Sequence, residues 1–203
     1  MDNPNYWYLA ALTAYVWGSI PYGYLIAKAN GVDIRTLGSK NIGATNVYRC
    51  VGKGPGLLTF ALDLCKGFLG TLPFLDMPIG LRVICGFWTV IGHNYTCFLR
   101  FKGGKGIASS LGLLIGLAPA AAGVAGLVFV AVFAAFRYIS LSSVSAAASL
   151  LASTWFIYSD RPKWFSIILC LLGVLAIVKH RANIGRLING TEPKFSFSRK
   201  ESK

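Results

Sequence analysis

Long apolar runs separated by short polar segments dominate this sequence and limit the folds that it can adopt. Hydrophobic residues make up 55% of the 203 residues, and charged residues make up 13%. An average soluble domain carries about 25% charged residues. Apolar runs of this length are typical of membrane-spanning helices. We therefore predict an all-α, polytopic integral membrane protein that forms a single domain over residues 1–203.

The basic residues are concentrated beside the apolar runs. Fifteen of the twenty Lys and Arg residues lie in three windows, 28–53, 100–105 and 179–203. Such clusters are typical of cytoplasmic loops, where they face anionic head groups or anionic substrates. Although the net charge of +13 could suggest nucleic-acid binding, this placement argues against it.

Seven apolar segments are predicted to cross the membrane. They are 6–28, 55–75, 80–99, 106–118, 120–136, 140–158 and 163–179. This arrangement places the N-terminus outside and the C-terminus in the cytoplasm, with a short basic tail at about 191–203.

The number of spans depends on residues 106–136, which Pro119 interrupts. Counted as one helix, this stretch would place Arg137 and the basic segment 179–203 outside, against the positive-inside rule. Counted as two helices, it returns the chain to the cytoplasm at Arg137. The helix at 106–118 is short for a full crossing.

Motifs for metals, cofactors and common nucleophiles are absent from the sequence. The five cysteines lack CxxC or Cys/His metal spacing, so we predict no disulfide framework and no metal site. There is no GxSxG elbow, no carboxylate pair suited to metal chemistry, and no His followed four residues later by Asp. We therefore expect no cofactor.

Three glycine-rich or basic polar stretches interrupt the apolar pattern, at 38–46, 103–106 and 179–186. Glycine allows several backbone N–H groups to point at one ligand, and Lys, Arg, Asn, Ser and Thr add further donors. This chemistry suits phosphate oxygens. Since the predicted topology places all three stretches on the cytoplasmic face, an interfacial enzyme with a phosphate site is favoured over a pore.

The first stretch combines tight turns with small polar donors. Its candidate phosphate-binding residues, together with the following arginine, are Ser39, Asn41, Gly43, Thr45, Asn46 and Arg49. An ordinary polar connector is the alternative interpretation of this loop.

The second stretch, Gly103-Gly104-Lys105-Gly106, precedes a predicted helix. A helix N-terminus offers unpaired N–H groups and a positive dipole end, and Lys105 adds a mobile charge. The sequence is not a Walker A motif, because Gly106 stands where that motif has Ser or Thr. The alternative is a basic anchor at the membrane surface.

The third stretch contains His180, with Asn183 three residues later and Arg186 six residues later. His180 could act as a general base or could position another group by hydrogen bonding, and the sequence does not choose. Ser140 and Ser143 could bond substrate hydroxyls or could serve in helix capping and packing.

Asp63 and Lys66 are three residues apart within a predicted span and are therefore able to pair. We favour a structural ion pair turned towards the protein interior. For His93, near the end of another span, we favour a structural hydrogen bond.

Taken together, these motifs strongly resemble the PlsY family, bacterial membrane acyltransferases that use acyl phosphate and glycerol 3-phosphate. One departure is Lys40, where the family more often has Gly. The matching residues are Gly18-Ser19-Ile20-Pro21, Arg35, Gly38 to Asn46 apart from that position, Asp63, Lys66-Gly67, Gly92-His93, Phe101 to Gly106, Arg137-Tyr138, Ser140-Leu141, His180, Asn183-Ile184, Arg186-Leu187, Gly190 and Glu192.

The resemblance implies a seven-helix fold with its active site at the cytoplasmic face of the bacterial inner membrane. It implies acyl transfer from acyl phosphate to the 1-hydroxyl of glycerol 3-phosphate, giving lysophosphatidic acid and phosphate. The catalytic candidates are then His180, Asn183, Lys105 and Ser140. The phosphate-binding candidates are the residues of the 38–46 loop named above with Arg49, Gly103, Gly104, Ser143 and Arg186.

Acyl phosphate is already activated, so an enzyme needs mainly to position the reactants and stabilise charge. No residue stands out as a nucleophile, and we therefore predict direct attack without an acyl-enzyme. The expected partners are the two substrates and the lipid bilayer, with no nucleic acid and no obligatory protein partner. A transporter of a phosphorylated solute is the alternative function.

Overall fold

The computed structural model describes residues 4–71 and 76–196. These residues form ten α-helices and one short 3-10 helix at Cys97–Leu99, and they contain no β-strand. The all-α prediction is therefore confirmed for the described part of the chain. The helices are α1 (Pro4–Ser19), α2 (Tyr22–Ala29), α3 (Ala44–Cys50), α4 (Lys53–Leu69), α5 (Ile79–Asn94), α6 (Ile107–Leu117), α7 (Pro119–Phe136), α8 (Ile139–Ile157), α9 (Lys163–Lys179) and α10 (Arg181–Ile188).

Within the segment predicted to span the membrane at 6–28, the helix breaks at Ile20–Pro21 between α1 and α2. Proline has no N–H to continue a helical ladder, and its ring clashes with the preceding turn. The break exposes backbone carbonyls to other partners. The Ser19 carbonyl accepts a hydrogen bond from the Thr96 hydroxyl at 2.6 Å.

Other helix boundaries also differ from the prediction. Pro55 is not the first residue of its helix, since α4 begins at Lys53, and α5 ends at Asn94, before the predicted end at 99. The loop at 29–53 contains α3, which apolar periodicity did not predict. The two separate helices on either side of Ala118 are confirmed, and Pro119 occupies the first turn of α7, where proline is well tolerated.

The first compact unit of the chain ends at Pro119. Within it, α1 packs along α5, and α4 packs along α6 at very close range. A methyl group at Gly67 would collide with the carbonyl of Ser109, and one at Gly112 would collide with the carbonyl of Leu64. These two glycines therefore allow the backbones of α4 and α6 to touch.

The second unit begins at Ala120 and has α8 packed against α9. The predicted basic tail at 191–203 begins as a packed segment, because Phe195 is buried and its N–H donates to the Arg137 carbonyl at 2.8 Å. The rest of that tail, from residue 197, lies outside the described residues. The single-domain prediction remains a prediction.

Among the described residues, α7 and α8 are each long and apolar enough to cross a membrane. The pair α9 and α10, bent by 56°, would count as a third such element if it formed one span. By contrast, α6 has 11 residues and is about 16 Å long, roughly half the thickness of a hydrocarbon core. The number of spans and the orientation of the termini remain predictions.

Candidate active site

The loop at 38–46 is built around the buried side chain of Asn46. Its Oδ1 accepts a hydrogen bond from the Ser39 backbone N–H at 3.0 Å. Its Nδ2 donates to the carbonyl oxygens of Leu37 at 3.1 Å and Asn41 at 2.9 Å. Asn46 was expected to offer donors to phosphate, but these bonds engage its amide within the loop and support a role in shaping the loop.

Two positions in this loop have left-handed backbone conformations. Gly38 has φ of +55°, and a methyl group there would collide with the Oδ1 atom of Asn46. Lys40 has φ of +57° and is exposed. After the turn, the Asn41 Oδ1 accepts a hydrogen bond from the Gly43 N–H at 2.9 Å, which fixes the start of α3.

Three further candidates of this region differ in how open they are to solvent. The side chains of Ser39 and Arg49 are exposed, whereas Thr45 is half-buried in the first turn of α3. Arg49 lies in the last turn of the same helix. The hydroxyl donors of the loop and the guanidinium of Arg49 therefore lie on a short segment that is held by its own hydrogen bonds.

Arg35, which belongs to the family motif, is held by its own neighbours. Its guanidinium pairs with the Asp33 carboxylate at 2.7 and 2.9 Å and lies 4.7 Å from the centre of the Tyr24 ring. The hydrogen bonds from Arg35 lower the pKa of Asp33 to about 2. The guanidinium of Arg35 is therefore engaged by Asp33 and Tyr24 and is not a bare cation.

The loop at 103–106 is seated on the end of α5. The Gly104 N–H donates to the His93 carbonyl at 3.0 Å, and a side chain at Gly104 would collide with the His93 ring. Gly106 has φ of +77°, and α6 starts at the next residue. Lys105 is half-buried between these two buried glycines.

A cluster of three buried ionisable side chains lies beside this loop. The Nζ atom of Lys66 lies 3.2 Å from the Asp63 carboxylate and 3.2 Å from Nδ1 of His93. His93 Nδ1 is 3.4 Å from the same carboxylate oxygen. The predicted inward ion pair of Asp63 and Lys66 is confirmed, and so is a hydrogen-bonding contact for His93. Sequence spacing gave no signal that the three would meet.

The two loops of the first unit share a hydrophobic support. Ile42 of the first loop and Val47 of α3 are buried in one apolar cluster with Ala27 and Ile34. Leu99, which precedes the second loop, packs against this cluster. Movement of either loop therefore disturbs the core on which the other rests.

In the second unit, Glu192 joins two of the predicted site residues. Its carboxylate accepts hydrogen bonds from Asn183 Nδ2 and from Arg186 Nε, each at 2.7 Å. Gly190, with φ of +67°, turns the chain back after α10 and brings Glu192 to these partners. Glu192 appeared in the sequence only as a family-motif residue, since nothing in its spacing links it to Asn183.

His180 lies at the bend between α9 and α10 rather than within one continuous helix. Its Nδ1 is 2.8 Å from the Ala176 carbonyl, and because a carbonyl can only accept, Nδ1 carries a proton. In the neutral ring Nε2 is then the acceptor nitrogen, which is the tautomer that a general base requires. His180 and Asn183 are both buried.

The two candidate serines differ in their surroundings. Ser143 Oγ donates to the Ile139 carbonyl at 2.8 Å, a bond within α8 that agrees with a packing role. Ser140 Oγ is buried and makes no hydrogen bond of good geometry with any described residue. It is nevertheless close enough to Glu192 to affect the titration of that carboxyl group.

The pKa of Glu192 lies below its ordinary value. Burial by itself would raise this pKa, but interactions with Ser140, Asn183 and Arg186 stabilise the carboxylate and outweigh the cost of burial. The result is an ionised glutamate that holds Asn183 and half-exposed Arg186 in fixed orientations.

The predicted site residues thus form separate groups within the two units. One unit holds Ser39, Asn41, Gly43, Thr45, Asn46, Arg49, Gly103, Gly104 and Lys105; the other holds Ser140, Ser143, His180, Asn183 and Arg186. Their functional roles remain predictions.

Comparison with known proteins gives consistent results. The model of the glycerol-3-phosphate acyltransferase family matches residues 8–190. A glycerol-3-phosphate acyltransferase from Bacillus cytotoxicus is 42% identical over 197 residues, which cover 96% of this chain and 98% of that one. A protein of the same name from Desulforudis audaxviator is 46% identical over 187 residues, covering 91% and 93%.

Two solved structures are also similar to this chain. Both are of PlsY, described as an integral membrane glycerol 3-phosphate acyltransferase. The glycerol 3-phosphate form has a TM-score of 0.87 and 38% identity, covering 94% of this chain and 96% of that one. The lysophosphatidic acid form has a TM-score of 0.83 and 38% identity, covering 94% and 95%.

Proposed function

The chain belongs to the glycerol-3-phosphate acyltransferase family, and we propose that it transfers a fatty acyl group from acyl phosphate to the 1-hydroxyl of glycerol 3-phosphate. The products are lysophosphatidic acid and inorganic phosphate. The similarity to PlsY in its glycerol 3-phosphate form, over 94% of this chain, is the observation that carries the proposal. The family assignment replaces the transporter alternative.

Two anionic substrates require several cationic and hydrogen-bonding groups. In this proposal the loop at 38–46 holds the phosphate of the acyl donor. Arg49 and Lys105 hold the acceptor phosphate, with Gly103 and Gly104 providing the close backbone approach. Arg186 and Ser143 complete the phosphate-binding set, and His180, Asn183 and Ser140 bind the reacting hydroxyl.

The reaction balances without a covalent enzyme intermediate. The 1-hydroxyl oxygen attacks the acyl carbonyl carbon, the new ester C–O bond forms, and the bond between that carbon and the phosphate oxygen breaks. Phosphate leaves with the bonding electrons, and the hydroxyl proton passes to a base. Because phosphate is a good leaving group, orientation and charge stabilisation suffice.

The base in this scheme is either Nε2 of His180 or a phosphate oxygen of the donor. The hydrogen bond from Nδ1 to the Ala176 carbonyl supports the tautomer needed for His180. Replacing His180 by Ala separates the two options, since substantial turnover in that variant excludes His180 as the base. A trapped acyl-enzyme would contradict direct attack altogether.

The proposal includes a membrane arrangement. The chain forms one functional domain of seven spans in the bacterial inner membrane, with the N-terminus outside and the substrate groups at the cytoplasmic face. The concentration of basic residues in three windows supports this orientation. Neither a protein partner nor a cofactor is required for the chemistry.

The direct test uses purified protein in lipid, supplied with glycerol 3-phosphate and either acyl phosphate or acyl-CoA. Release of phosphate and formation of lysophosphatidic acid are followed together. We expect product with acyl phosphate and none with acyl-CoA. Turnover with acyl-CoA alone would overturn the proposed donor, and folded protein inactive with both donors would contradict the proposed reaction.

A further inference from the structure

Asp63, Lys66 and His93 are three deeply buried acidic and basic side chains among the described residues of the first unit, and the reaction above uses none of them. Asp63 is 2% exposed, Lys66 is 1% exposed and His93 is 5% exposed. Burying charges is costly unless each charge has partners. A cluster kept at such cost within the apolar part of the chain calls for a function beyond filling space.

Lys66 connects this cluster to the helix break at Ile20–Pro21. Its ammonium donates to the Ile20 carbonyl at 2.8 Å and lies 5.2 Å from the centre of the Tyr22 ring. The indole N–H of Trp17 donates to the backbone carbonyl of Lys66 at 3.1 Å. Lys66 therefore fixes the point at which α1 gives way to α2.

From this break, α2 leads to the loop at 38–46. Gly23, the second residue of α2, lies so close to the Ile42 carbonyl that a side chain there would collide with it. The position of the first glycine-rich loop thus depends on where α2 starts, and Lys66 holds that start.

His93 connects the same cluster to the loop at 103–106. Nδ1 of His93 lies beside both the Lys66 ammonium, at 3.2 Å, and the Asp63 carboxylate, at 3.4 Å. The Nε2 side of the ring faces the backbone of Gly104, and the His93 carbonyl accepts from the Gly104 N–H at 3.0 Å. The imidazole is therefore the surface on which this loop rests.

We propose that Asp63, Lys66 and His93 form a positioning unit that holds the two glycine-rich loops in fixed relation, with Lys66 acting through α2 and His93 acting directly on Gly104. Asp63 supplies the counter-charge that allows Lys66 to remain buried between the two contacts. The unit makes no contact with substrate in this scheme. The effect of this unit on the kinetic constants rests on the phosphate-binding role proposed for the loops. Its effect on the mobility of the loops is independent of that role.

The test compares His93→Asn with His93→Leu, two variants of similar size. Asparagine keeps an acceptor near the position of Nδ1 and can still bind Lys66, whereas leucine cannot. Thr89→Val is the control, because Thr89 is buried in α5 and its hydroxyl bonds to the Cys85 and Ala14 carbonyls, away from both loops. All proteins are full-length and in lipid.

Two readouts are taken, the kinetic constants and the hydrogen–deuterium exchange of amides in 38–46 and 103–106. We expect His93→Leu to raise KM for the phosphate substrates about tenfold, with kcat within about threefold of the parent. The reason is that displaced loops would weaken binding of the ground state and of the transition state equally. Exchange in 103–106 should become faster than in the parent. His93→Asn should show smaller changes, and Thr89→Val should resemble the parent.

The proposal is overturned if His93→Leu has parental exchange in both loops, or if His93→Leu and His93→Asn behave alike. It is also overturned if Thr89→Val loosens the loops as much as His93→Leu does. An inactive parent protein would refute the proposed reaction instead. The exchange comparison would still decide whether the buried cluster holds the loops.

Discussion

At Lys40, the effect of backbone conformation on stability can be separated from the effect of side-chain charge on substrate binding. It has φ of +57°, a conformation that costs a side-chain-bearing residue about 1–2 kcal/mol. Glycine removes that cost but loses about 0.4–1 kcal/mol through the greater entropy of the unfolded chain. We expect Lys40→Gly to raise the free energy of unfolding by about 0.5–1 kcal/mol, measured by denaturation in mixed micelles.

Lys40→Gln is the matched control, because it removes the same charge and keeps the left-handed backbone occupied by a side chain. We expect both variants to raise KM for acyl phosphate about two- to fivefold, the scale of an exposed ion pair. Only the glycine variant should be more stable than the parent. Equal stability of the two variants would show that the backbone at this position carries no strain.

Glu192 should make stability depend on pH in a defined direction. Its pKa in the folded protein lies below the ordinary value of 4.5, so the folded state gains stability from its ionisation above that value and loses this gain as pH falls below it. Glu192→Gln should be less stable than the parent by about 2 kcal/mol at neutral pH. The difference should shrink in acid, as measured by thermal unfolding from pH 7 downwards.

Asp33→Asn is a suitable comparison, because its exposed carboxylate also has a lowered pKa but pairs only with a neighbouring arginine at the surface. It should change stability little at any pH. A constant difference between Glu192→Gln and the parent across the acid range would mean that Glu192 does not contribute through its charge.

At the residue scale, the sequence predicted interactions between near neighbours better than those across the fold. The i,i+3 spacing of Asp63 and Lys66 was enough to predict their ion pair. It could not predict His93 as the third member, because that contact depends on how α4 and α5 pack. Likewise, a list of polar residues could not show that the Asn46 amide is engaged by its own loop.

At the scale of the helices, the contact between α4 and α6 determines where the loop at 103–106 can lie. Gly67→Ala places a methyl group against the carbonyl of Ser109, on the backbone of α6. Because backbone cannot rotate away as a side chain can, we expect a loss of about 1–3 kcal/mol in stability. We also expect a higher KM for glycerol 3-phosphate, since α6 carries the loop of Lys105.

Gly54→Ala is the control within the same helix, because no atom of the described residues that could obstruct its added methyl group lies within 4 Å. It should be neutral or stabilise by up to about 1 kcal/mol, as alanine is the better helix former. Thermal unfolding and steady-state kinetics of both variants test the expectation. If Gly67→Ala matches Gly54→Ala in both, the helices do not depend on this close contact.

The apolar runs predicted the long helices well, but they did not indicate a proline break or a short helix. The runs predicted α7, α8 and α9 nearly residue by residue. At 6–28 the apolar pattern continues through Ile20–Pro21 and did not indicate the break between α1 and α2, where proline cannot continue the backbone ladder. The helix α3 was missed because it has only seven residues, about two turns, which is shorter than the window over which an apolar period can be recognised.

At the scale of the whole molecule, the seven-span topology depends on whether α6 crosses the membrane. With about 16 Å of helix, α6 can do so only if the loop at 103–106 also lies at membrane depth. Irregular backbone is tolerated there only where protein buries it. Gly104 and Gly106 are buried, and the Gly104 N–H is paired with the His93 carbonyl, so this condition is met for that part of the loop.

We therefore expect α6 to complete a crossing together with the loop that precedes it. The test fuses a phosphatase active only outside the cell, or a fluorescent protein active only in the cytoplasm, after residues 51, 77 and 118 and at the C-terminus. The fusions at residue 51 and at the C-terminus should fluoresce, since both points are predicted to be cytoplasmic. The fusions at residues 77 and 118 should show phosphatase activity, since both points are predicted to be outside. The fusions at 51 and 77, on either side of α4, serve as internal controls.

Fluorescence at 118 with phosphatase activity at the C-terminus would contradict the seven-span topology, because α6 would then re-enter without crossing. Such an arrangement would also place Arg137 and the basic residues after Lys179 outside, where the charge bias of membrane insertion disfavours them. The charge rule and the burial of the glycine loop are independent physical arguments: the charge rule favours a chain that is outside at residue 118, and the burial of the loop permits it. The phosphatase result at that single position therefore tests them together.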